Sequence, residues 1–172
     1  IFSNENLDTP NQCNYIGYIE GVGSVAIVSR YTVALHILTL LGWVTEGSGQ
    51  FVPSERIAHS VNTSPVFIRR ILGTLRKAGL VAVQHGGTGA GWRLAKDPRD
   101  ITLLDVYQAV VQTPLFELHH SKPNPRCPIG SGIQAALQNV YEDSEAAMKR
   151  QLARVTVADV LRETVSPAGA DA

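Results

Sequence analysis

The sequence predicts a mainly α-helical protein organised around a winged helix-turn-helix, with a two-stranded wing and a long helix near the C-terminus. Three observations predict it. Between Pro53 and Lys77 a short helix, a three-residue turn and a second helix with a polar basic face follow one another. Two strand-like runs then flank a glycine-rich tip, which completes an order used by few small folds other than the winged helix. The composition agrees: 44% hydrophobic but only 6% aromatic residues require an aliphatic core, and 172 residues make one principal domain the expectation.

Residues 1 to about 24 are rich in Asn, Gly and short polar residues and carry no usable periodicity. With Met148 the only methionine, this leader is read as a tail or an extension from upstream. From Ser29, a candidate N-cap, Tyr31, Ala34, Leu35, Leu38 and Leu41 recur at helical spacing, and Gly42 with the Gly47-Ser48-Gly49 cluster is expected to end the helix. The next helix starts near Pro53 or Ser54, buries Ile57, Ala58 and Val61, and turns at Asn62 and Thr63.

Ser64 is the candidate N-cap of the third helix, and Pro65 takes its first position, where a missing N–H costs nothing. Ile68, Ile71, Leu72 and Leu75 fall on one face, and Arg69, Arg70 and Lys77 fall elsewhere. Gly79 stops this helix. Val81 to Gln84 and Trp92 to Ala95 alternate as strands do, with Gly86 to Gly91 as a flexible tip. Thr102 caps a helix carrying Leu103, Leu104, Val106, Val110 and Val111, which ends before Pro114. A Pro- and Gly-rich loop follows, then a long helix from about Ser131 to Ala153, and Thr156 opens a short helix through Val165. The expected division is thus 1–24 as tail, 25–113 as the winged helix-turn-helix domain, 114–130 as loop, 131–165 as the two C-terminal helices and 166–172 as a frayed tail.

No apolar run is long enough to cross a bilayer, and no membrane partner is expected. The two cysteines, Cys13 and Cys127, lie far apart, which argues against a disulfide framework and fits a reducing cytoplasm. Net charge is zero, yet between Ser54 and Asp100 eight Lys and Arg face three Asp and Glu, a local charge of +5. The charge is segregated, and this stretch has the electrostatics for phosphate.

Double-stranded DNA is the partner this pattern suits, because its major groove admits one helix whose N-terminal residues meet base edges. Ser64, Pro65, Val66, Arg69 and Arg70 are so placed. The glycines of the tip bring backbone N–H groups near phosphate, with His85, Thr88 and Arg93 as polar contacts along the minor groove. A solvated basic face is the plainer reading of Arg69 and Arg70 alone, and the helix-turn-helix context argues against it. A nucleotide-phosphate loop is disfavoured, since GxxxxGK[ST] is absent and no helix follows the glycines.

SPVFIRRILGTLRKAGLV, the glycine wing and WRLAKDPRDITLLDVYQAV together resemble the winged-helix transcriptional regulators that include IscR, NsrR and CymR, and PNPRCPIG resembles their YwnA-like branch. The resemblance spans about residues 27 to 163. It implies a homodimeric repressor in which the helix from Ser131 to Ala153 pairs with its twin and two recognition helices enter successive major grooves of a palindromic operator, roughly 34 Å apart. It places DNA contacts at Ser64, Pro65, Arg69 and Arg70 and wing contacts near His85 to Thr88, with the inducer unassigned. The chain departs from the family in having His85-Gly86 where an arginine usually precedes the wing glycine, and in a wing loop one residue longer. Cluster-binding members carry three closely spaced cysteines before the long helix, whereas this chain has Cys127 alone, so no iron–sulfur cluster, metal or other cofactor is expected.

Cys127 stands just ahead of a helix N-terminus, beside Arg126 and near Lys122, His119 and His120, features that stabilise a thiolate, which makes it a candidate redox sensor. The alternative is a small residue packed at a helix start. His119, His120 and Cys127 supply metal-ligand types without diagnostic spacing, and adjacent histidines on such a loop are read as solvated. No nucleophile, base and orienter set or cofactor fingerprint is present, so the chain is not expected to be an enzyme. The remaining alternative is a protein-interaction module that keeps the scaffold without binding DNA.

Overall fold

The computed structural model describes residues 25–87, 89–118 and 120–166, with the side chains of 25–28 and 45–48 excepted. The expected N-terminal tail with Cys13, the expected C-terminal tail beyond Ser166, Thr88 and His119 lie outside the described residues. Six helices and one antiparallel strand pair make up the described fold: α1 (Val25–Ser48), α2 (Ser54–Val61), α3 (Pro65–Lys77), β1 (Val81–Gln84), β2 (Gly91–Leu94), α4 (Leu103–Val110), α5 (Pro128–Leu152) and α6 (Val157–Val165). A single 3-10 turn, Pro98–Asp100, separates β2 from α4.

The organising element is α1, which packs against α4, α6 and β2. Ala34, Ile37, Leu38 and Leu41 are fully buried along its inner face and meet Ile68, Ile71, Leu72 and Leu75 of α3 in one aliphatic core. The helix begins before its expected cap and ends at Ser48, inside the Gly47-Ser48-Gly49 cluster expected to stop it. Ser29 lies inside it rather than at its cap, and no breaker interrupts the four residues before it. Gly42 does not stop it either. A glycine costs a helix interior only about 1 kcal/mol relative to alanine, and Gly42 is buried where Leu161, Leu94 and Pro98 converge, each 3.7 Å from the position a Cβ would occupy.

The chain's two later segments are locked together by a repeated device. Thr102 and Asp105 form a capping box at the start of α4, the Thr102 N–H donating to Asp105 Oδ2 at 2.8 Å and the Asp105 N–H to Thr102 Oγ1 at 3.1 Å. Thr156 and Asp159 repeat it at α6 with distances of 2.9 and 3.2 Å. The two boxes lie side by side in an antiparallel bridge, where Leu103 N–H donates to the Val155 carbonyl and Val157 N–H to the Ile101 carbonyl, both at 2.9 Å. With Ile101 and Val157 fully buried, this bridge fixes α6 onto the α1–α4 layer.

The long helix α5 begins at Pro128, earlier than the expected Ser131, so the loop expected over 114–130 ends at Cys127, the N-cap. The Pro-Gly composition misled because Pro128 occupies the first helical position, where its fixed φ is an advantage. Gly130 is needed there for a different reason: a Cβ would meet the Asn124 carbonyl oxygen at 2.5 Å. None of the 25 residues of α5 is buried. It packs chiefly on α4, and Phe116 from the preceding loop stacks on Tyr141 with ring centroids 4.9 Å apart.

Candidate nucleic-acid interface

The turn between α2 and α3 is set by backbone chemistry. Asn62 ends α2 in the left-handed conformation at φ 57°, a state that asparagine tolerates better than most residues. Its N–H donates to the His59 carbonyl at 3.2 Å and that of Thr63 to the Ala58 carbonyl at 3.0 Å, which closes the helix end. Ser64 then caps α3, its hydroxyl accepting the Phe67 N–H at 3.3 Å, with Pro65 in the first turn as expected. Because Ile68, Ile71, Leu72 and Leu75 are each 0% exposed, the rotation of α3 about its axis is fixed. That rotation leaves Ser64, Val66, Arg69 and Arg70 on the solvent side, Val66 at 55% exposure, with Pro65 half-buried beside them.

The two arginines differ in setting. Arg69 Nη1 donates to Ser54 Oγ at 3.1 Å and to Glu55 Oε1 at 3.0 Å, so its guanidinium is drawn toward the start of α2. Ser54 is buried, and its hydroxyl in turn donates to Glu55 Oε1 at 3.2 Å. The Glu55 carboxyl is held below its ordinary value by its own backbone N–H, by the Ser54 hydroxyl and by the Arg69 charge. Arg70 has no ion-pair partner among the described residues and stands exposed.

The wing pairs Val81 with Leu94 and Gln84 with Gly91 in antiparallel register. Gly86 and Gly87 at φ 74° and Gly89 at φ 109° carry the chain through a tip that residues with side chains rarely adopt. His85 is exposed at the base of this tip. Arg93 is exposed on β2, its guanidinium 4.8 Å from the centre of the Phe51 ring. An antiparallel bridge between Val52 and Trp92 ties the wing to the segment before α2.

The structure therefore gathers Ser64, Pro65, Val66, Arg69 and Arg70 on one end of α3 and sets His85 and Arg93 on the wing. Sequence reasoning missed Phe51, Ser54 and Glu55, which position Arg93 and Arg69. Only the acid at helix start offered a signal, because Glu55 in the first turn of α2 stands within reach of any basic residue crossing it.

Residues 27–163 match the Rrf2 family, described as iron-dependent transcriptional regulators. The chain belongs to the Rrf2 family. Over 136 residues it is 45% identical to a protein named as an HTH-type transcriptional regulator, YwnA of Bacillus subtilis, covering 78% of this chain and 96% of that one. A solved structure titled as a DNA-binding protein superposes with a TM-score of 0.61 at 39% identity, over 77% of this chain and 98% of its own. The global cysteine regulator CymR of Bacillus subtilis shares the fold, with a TM-score of 0.59 at 20% identity over 78% and 95% of the two chains. The Rrf2 relatives are transcriptional regulators rather than enzymes, and the fold here is their winged helix. Among the described residues no helix is long and apolar enough to cross a membrane.

The family description raises iron, and the donors among the described residues do not fit it. An iron–sulfur cluster takes four ligands in the usual case, whereas among the described residues no group of three or more His, Cys, Asp and Glu converges. Cys127 is exposed, and its sulfur faces the backbone N–H groups of Gly130 and Ile129, which lower its pKa. Cys127 is the N-cap residue of α5 by position, and among the described residues it joins no group of three possible metal ligands.

Proposed function

We propose that this Rrf2 protein is a cytoplasmic, homodimeric repressor that inserts the N-terminal end of α3 into the major groove of a palindromic operator. The observation that carries the reading is the fixed rotation of α3, which buries four aliphatic residues completely and leaves Val66, Arg69 and Arg70 facing outward at the end that enters a groove. Val66 suits a thymine methyl, and the arginines suit guanine edges or phosphates. Ser64 and Pro65 begin the helix at the groove, while His85 and Arg93 reach along the flanking backbone from the wing, with Thr88 a further polar contact read from the sequence alone. A solvated ion pair such as Arg69–Glu55, with side chains 48% and 66% exposed, is weak, so a phosphate can take Arg69 from Glu55.

The dimer reading rests on α5. A helix with no buried residue and with Ile129, Ile133 and Val140 exposed has an apolar stripe to place against a twin. The experiment is a titration of DNA from upstream of the protein's own gene at increasing salt, with sedimentation of the free protein. Steep salt dependence and a dimer at micromolar concentration are expected. Operator affinity unchanged in the Arg69→Ala, Arg70→Ala double variant would overturn the recognition helix and favour an interaction module on the same scaffold.

Thiol control is a second reading, favoured by the exposed Cys127 at the N-cap of α5 with two backbone N–H groups directed at its sulfur. In it the thiolate attacks a peroxide O–O bond, forming a sulfenic acid and releasing hydroxide. Operator affinity that responds to peroxide in the parent protein and not in Cys127→Ser supports it. Equal insensitivity of both proteins removes it.

A further inference from the structure

Behind the wing lies a cleft of about 860 Å³, bounded on one side by β2 and the turn that follows it and on the other by α1 and α6. Its volume is in the range of small-molecule sites, roughly 300–1,000 Å³. The floor is apolar, made by Gly42, Leu94, Leu161 and Pro98, and Val165 stands at the mouth at 56% exposure.

The rim is basic, and its charges sort into two kinds. Arg99 is held by Asp97 through two hydrogen bonds, Nε to Oδ1 at 2.9 Å and Nη2 to Oδ2 at 2.7 Å, and Arg162 by Asp159 at 2.6 Å. These pairs cancel internally. Arg93 and Lys96 also line the cleft; the Arg93 guanidinium stands over the Phe51 ring, and among the described residues neither cation has a carboxylate partner. An apolar floor below two cations without carboxylate partners is complementary to a small molecule with an apolar body and an anionic head.

We propose that this cleft is the effector site of the regulator and takes a small amphipathic organic anion that acts as inducer. The regulatory half rests on the DNA-binding reading above. Leu94 of β2 forms part of the floor and Arg93 part of the rim, so a bound anion engages the wing strand directly. Its head neutralises Arg93 and Lys96, which weakens the wing's attraction for phosphate. Its body sits between β2 and α6 and sets the wing against the α1 layer.

The test titrates the full chain, without DNA, with anilinonaphthalene sulfonate as fluorescent probe and decanoate as competitor. A saturable site is expected, cleared by decanoate and not by a decyl ammonium cation of equal length. Lys96→Gln should weaken decanoate about tenfold, the loss of one hydrogen bond to a charged group, and Ala158→Trp, which fills the cleft wall, should block the probe while the thermal melt reports on folding. Non-saturable probe binding, equal displacement by the cation, or parent-like binding in both variants would overturn the site. With operator DNA present, decanoate should lower the affinity of the parent protein and not of Ala158→Trp. Binding of decanoate with unchanged operator affinity overturns the effector role. A protein that binds no operator at all fails the DNA reading instead, and the DNA-free titration still decides the cleft.

Discussion

Gly91→Ala is the sharpest test of how the wing is held. Gly91 opens β2 directly against the segment before α2, and a Cβ there would lie 2.7 Å from both the carbonyl carbon and oxygen of Val52 and 2.9 Å from its nitrogen. Those are backbone atoms, which cannot rotate aside as a side chain would. The two segments must part, and the bridge of Val52 N–H to the Trp92 carbonyl at 2.8 Å and Trp92 N–H to the Val52 carbonyl at 2.9 Å is broken. Two hydrogen bonds at about 1 kcal/mol each, plus partial exposure of the buried Val52, give a loss of about 2–4 kcal/mol. For a chain of this size that is a fall in melting temperature of roughly 10 °C. Gly73→Ala is the control, because its Cβ meets nothing within 4 Å in the middle of α3. There alanine's helix propensity should stabilise by up to ~1 kcal/mol. The assay is thermal unfolding of parent and both variants at one protein concentration, followed by circular dichroism and operator titration. If Gly91→Ala melts within about 2 °C of the parent, where a shift of roughly 4 °C per kcal/mol applies, the bridge does not hold the wing and the reasoning fails.

Arg70→Ala should lower the slope of log affinity against log salt by ~0.9 for each phosphate left without its cation, hence by ~1.8 in a dimer. A slope that stays constant while base discrimination falls would assign Arg70 to a base edge instead. Tyr107 Oη is buried without a hydrogen-bond partner among the described residues, so Tyr107→Phe should raise stability by about 1 kcal/mol, and destabilisation in a denaturant titration would show that the hydroxyl is satisfied. Asp97 and Asp159 titrate at about 2 instead of 3.8, Asp97 chiefly through the Arg99 side chain and Asp159 chiefly through the Thr156 hydroxyl. Their depressed values stabilise the fold fully above pH 3.8, and that contribution is lost as pH falls through 2; Asp159→Asn should flatten the acid limb of the stability curve, and an unchanged limb would refute the assignment.

The helix-turn-helix was legible because its signals are local and agree with one another. Ser64 and Pro65 start α3, the spacing of Ile68, Ile71, Leu72 and Leu75 names its buried face, and Thr102 caps α4, all without reference to the rest of the chain. The C-terminal end of α1 was legible in the Gly47-Ser48-Gly49 cluster, whereas its start and the start of α5 were not. Gly42 and Gly130 read locally as breakers, yet both are helical: a Cβ on Gly42 would make only ordinary contacts at 3.7 Å, whereas one on Gly130 would meet the Asn124 carbonyl oxygen at 2.5 Å, a tertiary approach that local sequence does not reveal. The pairing of the Thr102 and Thr156 boxes was equally hidden, since each is visible as a cap but their bridge joins segments far apart in sequence. In the candidate interface, Arg69 and Arg70 look alike in sequence, and the crossing of α2 over α3 alone distinguishes the held arginine from the free one.

The segment leading into α2 also ties α3 and the wing into one unit. The five residues from Phe51 to Glu55 reach both: Phe51 lies under the Arg93 guanidinium, Val52 bridges to Trp92, and Ser54 with Glu55 holds Arg69. No basic residue occurs in this segment, and it would attract no attention as a DNA contact. Yet a shift of it moves the arginine on α3 and the arginine on the wing together. The acid within it has a sign as well as a position: in the proposed complex Glu55 competes with phosphate for Arg69, which lowers attraction to any duplex and leaves groove fit at Val66 and Arg70 to carry more of the discrimination between sequences.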